Sequence, residues 1–175
     1  MRAFISIDIP DSAKRKIAKR ILQAKSRCIG VTAMENLHIS VLFMGDINDF
    51  QLKAAEDALD AIRIQSFHIS FGEVKFFNDG TPRVAYISIS EGNVQVKSIF
   101  DFLSASLKGI IHIDRREFTP HLTIARIKGD CEAEINALKG AGTIEGRFKC
   151  DGIKIVQSIL GRGPPVYKEI FSKRL

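Results

Sequence analysis

Two short apolar segments, His38-Ile39-Ser40-Val41 and His121-Leu122-Thr123-Ile124, stand 83 residues apart, and the chain around them repeats its pattern at that offset. Residues 3–9 alternate weakly and read as a strand that ends at Pro10. Asp11 or Ser12 can then cap a helix whose apolar positions Ala13, Ile17, Ile21, Ala24 and Cys28 follow the helical period. The first histidine segment, residues 36–44, ends at Gly45-Asp46. A second helix from about Asp49 places Leu52, Ala55, Leu59 and Ile62 at spacings of three and four. Residues 67–77 and 83–89 read as a hairpin turning at Asn78-Asp79-Gly80. Shifted by 83, the first strand falls on Tyr86 and its neighbours, and the first helix on Val96, Ile99, Phe100, Leu103 and Leu107. The second helix falls on residues 131–139 and the hairpin on residues 148–160 and 166–171. Identity between the halves is low. What recurs is the order of elements, the mark of a duplicated unit.

Strands interleaved with helices, with hairpins in both halves, predict an α+β fold. The expected form is a bilobal duplicated unit: two mainly antiparallel sheets, helices outside, and a central cleft with pseudo-twofold symmetry. No linker divides the chain, so residues 1–175 are expected to form a single bilobal domain. A content of 45% hydrophobic and 26% charged residues excludes a disordered chain. The formal charge of +6 suits a polyanionic partner such as nucleic acid, although a merely basic surface explains it equally well. Lys14, Arg15, Lys16, Lys19, Arg20, Lys25 and Arg27 cluster on and after the first helix, where a solvated face is a commoner role than RNA contact. Three cysteines without C-x-x-C spacing argue against a disulfide framework and against a cysteine zinc site. The N-terminal apolar run is broken by Asp8 and Pro10 and followed by its basic residues, unlike a signal peptide. No segment approaches the ~18 continuous apolar residues of a membrane span. A cytoplasmic protein with no membrane association is expected.

The histidine segments carry the chemistry. Strand residues i and i+2 share a face, so each segment presents an imidazole and a hydroxyl side by side. Leu37, Ile39, Val41 and Phe43 read as one apolar face, leaving His38 and Ser40 on the other; Leu122 and Ile124 likewise oppose His121 and Thr123. Burying the apolar faces against helices turns both polar pairs towards one cleft. A lone H-x-[ST] is usually structural, whereas two at equivalent positions of a doubled unit point to function. Histidine titrates near pH 6.5, so one ring can take a proton while the other gives one. Ser40 and Thr123 can hydrogen-bond phosphate oxygens as charge develops there. This arrangement needs no metal and no cofactor. H-E-x-x-H and G-x-S-x-G are both missing from the sequence, which disfavours metalloprotease and serine-hydrolase chemistry. His68 and His112 lack a matching partner motif and read as structural or exposed residues.

These segments resemble the two-histidine phosphoesterase superfamily, and within it the RNA 2′,3′-cyclic phosphodiesterases historically called 2′-5′ RNA ligases. The likeness runs from Met1-Arg2-Ala3-Phe4-Ile5-Ser6-Ile7-Asp8 through residues 35–45 and Pro82-Arg83-Val84. It continues through residues 118–126 and closes with Gly163-Pro164-Pro165-Val166-Tyr167. The resemblance implies hydrolysis of RNA 2′,3′-cyclic phosphate ends to 2′-phosphates, with ATP-independent 2′-5′ joining of tRNA halves as the related reaction. It implies His38 as proton donor and His121 as proton acceptor, although the residues alone leave that order open. The first motif carries Ser40 where the family more often has threonine. Arg126 matches an arginine that commonly follows the second motif and could bind phosphate. Strict alternation, however, puts Arg126 on the face opposite His121, so it reaches the cleft only if the strand twists or bulges. Arg83 for phosphate and Tyr86 for stacking on a base are weaker candidates, with strand packing the commoner role. The expected partners are RNA ends, including tRNA halves, met by a monomer. Two alternatives stay open: a phosphodiesterase acting on small cyclic nucleotides or ADP-ribose cyclic phosphate, and a non-catalytic module that holds RNA ends.

Overall fold

Alternation in the histidine segments demands a covered face and an open one, and the architecture supplies both. The computed structural model describes residues 1–175 apart from Gly80, Arg115 and Asp130 and the side chains of Asn78, Asp79 and Thr81. The strands are β1 (Arg2–Asp8), β2 (Ile29–Val31), β3 (His38–Asp46), β4 (Phe67–Asp79), β5 (Thr81–Glu91), β6 (His121–Ile127), β7 (Arg147–Cys150), β8 (Gly152–Ile159) and β9 (Val166–Arg174). The helices are α1 (Asp11–Ile21), α2 (Asp49–Asp60), α3 (Asn93–Ser106) and α4 (Glu132–Lys139). The hairpin turn expected at Asn78-Asp79-Gly80 lies outside the described residues.

All strand pairings are antiparallel, in the order β7-β4-β5-β6-β3-β1-β8-β9, with β2 added against β6. The expected two sheets are joined into one curled sheet, and the seam is a single pair, Ile39 opposite Leu122. Reading outwards from that seam, β6 answers β3, β5 answers β1 and β4 answers β8. The two halves of the chain therefore exchange strands. β4, from the first half, pairs with β5 of the second, and β8, from the second, pairs with β1 of the first. Separating the two halves of the sequence would break both ladders, which ties the repeats into one cooperative body.

One face of the sheet buries its aliphatic side chains under the helices. Ile5, Ile39, Leu122 and Ile124 are fully buried together with Ile17, Ile21, Leu59, Val96, Ile99 and Leu103. Each such side chain is worth roughly 1.5–3 kcal/mol when taken from water. The helix starts differ from one another. α2 opens with a full capping box, Asn48 Oδ1 accepting from the Gln51 backbone N–H at 2.9 Å and Gln51 Oε1 accepting from the Asn48 N–H at 3.0 Å. α1 starts after Pro10 with no side-chain cap, so neither Asp11 nor Ser12 serves as expected. α3 starts at Gly92, whose φ of +84° puts an added Cβ 2.5 Å from the His68 carbonyl oxygen, so only glycine fits there. No helix among the described residues is long and apolar enough to cross a membrane.

The cysteine expectation is corrected. Cys28 and Cys131 form a disulfide with Cα atoms 6.3 Å apart, leaving Cys150 as the buried free thiol. The bond joins the segment after α1 to the residue before α4, and neither motif spacing nor an odd count could reveal a contact between residues 103 positions apart.

Candidate active site

The open face of the sheet is built from two matching ladders. On one, Phe4 stands opposite Phe43, Ser6 opposite Ser40 and Asp8 opposite His38. On the other, Val84 stands opposite Arg126, Tyr86 opposite Thr123 and Ser88 opposite His121. Continuing the Ile39–Leu122 register one residue in each direction sets His38 towards Thr123 and Ser40 towards His121. The two imidazoles thus lie diagonally about the seam, as a pseudo-twofold axis requires.

The same ladders settle the orientation of Arg126. Ile5 pairs with Leu42 and Ser6 with Ser40, so Val41 is an extra residue; Ala85 pairs with Ala125 and Tyr86 with Thr123, so Ile124 is another. A bulge resets the alternation beyond it. Both Val41 and Leu42 are consequently buried, as are both Ile124 and Ala125, and the next residue in each strand turns back to the open face. In β6 that residue is Arg126, which is exposed and whose charge reaches Tyr167 across the cleft. In β3 it is Phe43, 62% exposed and 5.8 Å from Phe4 between ring centres. Phe43 therefore does not belong to the buried aliphatic face, where strict alternation places it. Arg126 and Phe43 are equivalent positions of the repeat that now carry a cation and an aromatic surface.

Each histidine is fixed from behind. The His38 Nδ1–H donates to the Asn36 carbonyl at 2.7 Å, and the His121 Nδ1–H to the Thr119 carbonyl at 2.6 Å. A carbonyl can only accept, so both rings carry hydrogen on Nδ1 and offer Nε2 for exchange. His38 Nε2 is 2.9 Å from Ser40 Oγ, so the imidazole and hydroxyl of the first motif stand side by side. Asn36, itself buried, donates through Nδ2 to the Pro165 carbonyl at 2.9 Å, which ties the loop before β9 to the first motif.

Aromatic rings wall both imidazoles. Phe4 lies 4.8 Å and Tyr167 5.2 Å from His38; Phe77 lies 4.9 Å and Tyr86 5.3 Å from His121. Burial holds the His38 imidazole below its ordinary value; the Asn36 carbonyl and Asp8 pull it upward, while Lys14 and His121 push it down. Burial likewise holds His121 below its ordinary value, against the pull of the Thr119 carbonyl. Tyr86 lies beside His121, yet it is 8% exposed and stacked on Phe77 at 4.3 Å, so it is a wall rather than a free platform for a base. Arg83 is not brought to the site. It alternates with Val84 and so lies exposed on the opposite face. His68 and His112 are both exposed and outside the two ladders.

Sequence alternation missed Phe43, Phe4, Phe77 and Tyr167. Their apolar character was visible, but nothing local marks an aromatic as lining a cleft rather than a core. A cavity of about 200 Å³ opens beside His38, lined by Asp8, Lys14, Lys154 and Glu169 among others.

Two inward-facing H-x-[ST] strands, related by a pseudo-twofold axis in a curled antiparallel sheet, define a two-histidine phosphoesterase architecture. The sequence profile of the 2′-5′ RNA ligase superfamily matches residues 10–162, and the chain belongs to that family. A relative from Archaeoglobus fulgidus named RNA 2′,3′-cyclic phosphodiesterase is 33% identical over 97% of this chain and 98% of its own length. A second relative of that name, from Methanocaldococcus jannaschii, is also 33% identical over 97% of this chain and 98% of its own. Among solved structures, E. coli LigT complexed with 3′-AMP superposes with a TM-score of 0.84 at 18% identity, covering 99% of this chain and 97% of that one.

Proposed function

We propose that this protein is an RNA 2′,3′-cyclic phosphodiesterase working as a single domain over residues 1–175, with His38 as proton donor and His121 as proton acceptor. The observation that carries the proposal is the diagonal pair of imidazoles, each locked through Nδ1 so that Nε2 is left for proton exchange. Names of relatives that match nearly the whole chain support the same substrate.

In this scheme His121 Nε2 takes a proton from water as the water oxygen bonds to phosphorus. The bond from phosphorus to O3′ breaks, and O3′ takes the proton on His38 Nε2. The products are a 2′-phosphate and a 3′-hydroxyl, with the two histidines in exchanged protonation states. Ser40, Thr123 and Arg126 surround the phosphate, whose non-bridging oxygens gain charge in the transition state. Phe43 offers a ring face for the terminal base. With an RNA 5′-hydroxyl in place of water, the same transfers form a 2′-5′ linkage, the joining reaction expected for tRNA halves.

Incubation of an RNA ending in a 2′,3′-cyclic phosphate, in EDTA, should give the 2′-phosphate. His38→Ala and His121→Ala should each lose at least ~100-fold in kcat, the usual contribution of a positioned acid or base. Native protein that fails to turn over any cyclic phosphate, or either variant at near-native rates, overturns the proposal.

A further inference from the structure

The repeat makes the two histidines equivalent, but the strands opposite them are not. His38 faces Asp8 across β1, and His121 faces Ser88 across β5. Cross-strand neighbours have Cβ atoms about 5 Å apart, close enough for a carboxylate to act on an imidazole through space. Asp8 is also the hub of a charged cluster. Its Oδ2 lies 2.5 Å from Lys154 Nζ and its Oδ1 4.0 Å from Lys14 Nζ, while Lys154 also holds Glu169 at 2.9 Å. Lys14 and Lys154 are largely buried, with side chains 11% and 25% exposed, so the cluster is only partly screened by solvent.

We infer that Asp8, held in place by Lys154 and Lys14, is a positioning residue that makes the histidines inequivalent and keeps the pair's resting proton on His38. This rests on the donor role proposed for His38. Each turnover leaves the proton on His121, so the site must return it to His38 before the next cyclic phosphate is cleaved. A charge on His121 pushes the His38 imidazole down, so a proton on one ring disfavours a second on the other. The acidic hub biases its return.

The groups facing His38 come from every element packed around it. Asp8 stands on β1, Lys14 on α1 and Glu35 just before β3. Lys154 lies on β8, Tyr167 and Glu169 on β9, and His121 acts from β6. Of these, Asp8 favours a cation on His38, and Lys14 and His121 oppose it. At His121 the influences are burial and the Thr119 carbonyl alone, with no charged group among them. The bias therefore belongs to one side of the cleft.

The test is an NMR pH titration of the individual imidazoles in the full chain, alongside kcat/KM against pH on a nucleoside 2′,3′-cyclic phosphate. Asp8→Asn should lower the His38 midpoint by about half a pH unit or more and leave His121 in place. Lys154→Met, which removes the cation clamping Asp8, should raise the His38 midpoint. The kinetic limb that reports the donor should move with His38 in both variants. A variant that merely loosens the fold would not reverse sign between the two substitutions. His38 unmoved in both variants, or both histidines shifting together, overturns the inference. Because the NMR midpoints are read without turnover, that failure is distinct from failure of the donor assignment, which loss of cyclic-phosphate hydrolysis in His38→Ala tests directly.

Discussion

At the scale of single residues, the cleft works by taking two imidazoles partly out of water and giving each a single exchangeable nitrogen. The consequence for pH has a definite sign. A donor must be protonated, so its limb of the rate profile falls as pH rises through its pKa. An acceptor must be neutral, so its limb falls as pH drops through its own. Burial lowers both pKa values from 6.5, which places both limbs of kcat/KM, the free-enzyme quantity, on the acid side of that value. An optimum in kcat/KM below pH 6.5 is expected on a cyclic mononucleotide, and an optimum above pH 7 would contradict the burial of the rings. Bound phosphate adds a negative charge beside the donor, so the kcat profile should extend to higher pH than kcat/KM. The phosphate contact proposed for Arg126 is open to the same kind of measurement. Arg126→Ala should raise KM and lower kcat together, by about tenfold or more in kcat/KM, since a charge-assisted contact to phosphate is worth ~1.5–3 kcal/mol. A change confined to thermal stability would return Arg126 to a structural role.

Elements explain why those residues meet. One extra residue in β3 and one in β6, Val41 and Ile124, reverse the alternation at the same point in both repeats. That is why Arg126, which strict alternation sends into the core, and Phe43, which it assigns there, both end in the cleft. H-x-[ST] was legible because it precedes the bulge, where the period of two still holds. The fifth residue after each histidine was not, because a bulge has no reliable local signature in a run such as Ser40-Val41-Leu42 or Thr123-Ile124-Ala125. Helix positions were legible too, apart from α1's cap and its end: the helical period carries on through Ala24 and Cys28, whereas the helix stops at Ile21. The capping box at Asn48 and Gln51 is a local device far from the histidines, so Asn48→Ala should cost about 1 kcal/mol of stability in urea denaturation and leave kcat unchanged. A loss of activity at full occupancy of the folded state would show that α2 is coupled to the cleft.

For the whole molecule, strand exchange is the governing fact. β4 and β8 each pair with a strand of the other half, so both walls of the cleft contain both halves of the sequence. The formal charge of +6 gives this body a general attraction for polyanions. If RNA is the substrate, kcat/KM on an oligonucleotide end should fall steeply between 50 and 200 mM salt, while the rate on a cyclic mononucleotide changes little. Equal salt dependence for the two would favour the small cyclic substrate instead.

The sequence by itself determined the doubled unit, the α+β class, the buried aliphatic face and the pair of imidazole-bearing strands. All of these follow from periodicities of two and 3.6, which are local properties of the chain. Tertiary structure alone decided that Arg126 and Phe43 reach the cleft, that Arg83 does not, that Cys28 meets Cys131, and that one histidine faces an aspartate and the other a serine. Those outcomes depend on bulges and on which strand lies across from which. The first strand shows it best: Asp8 and Ser88 occupy equivalent places, 80 residues apart, although the motifs they face are 83 apart. No single register along the chain could have aligned both.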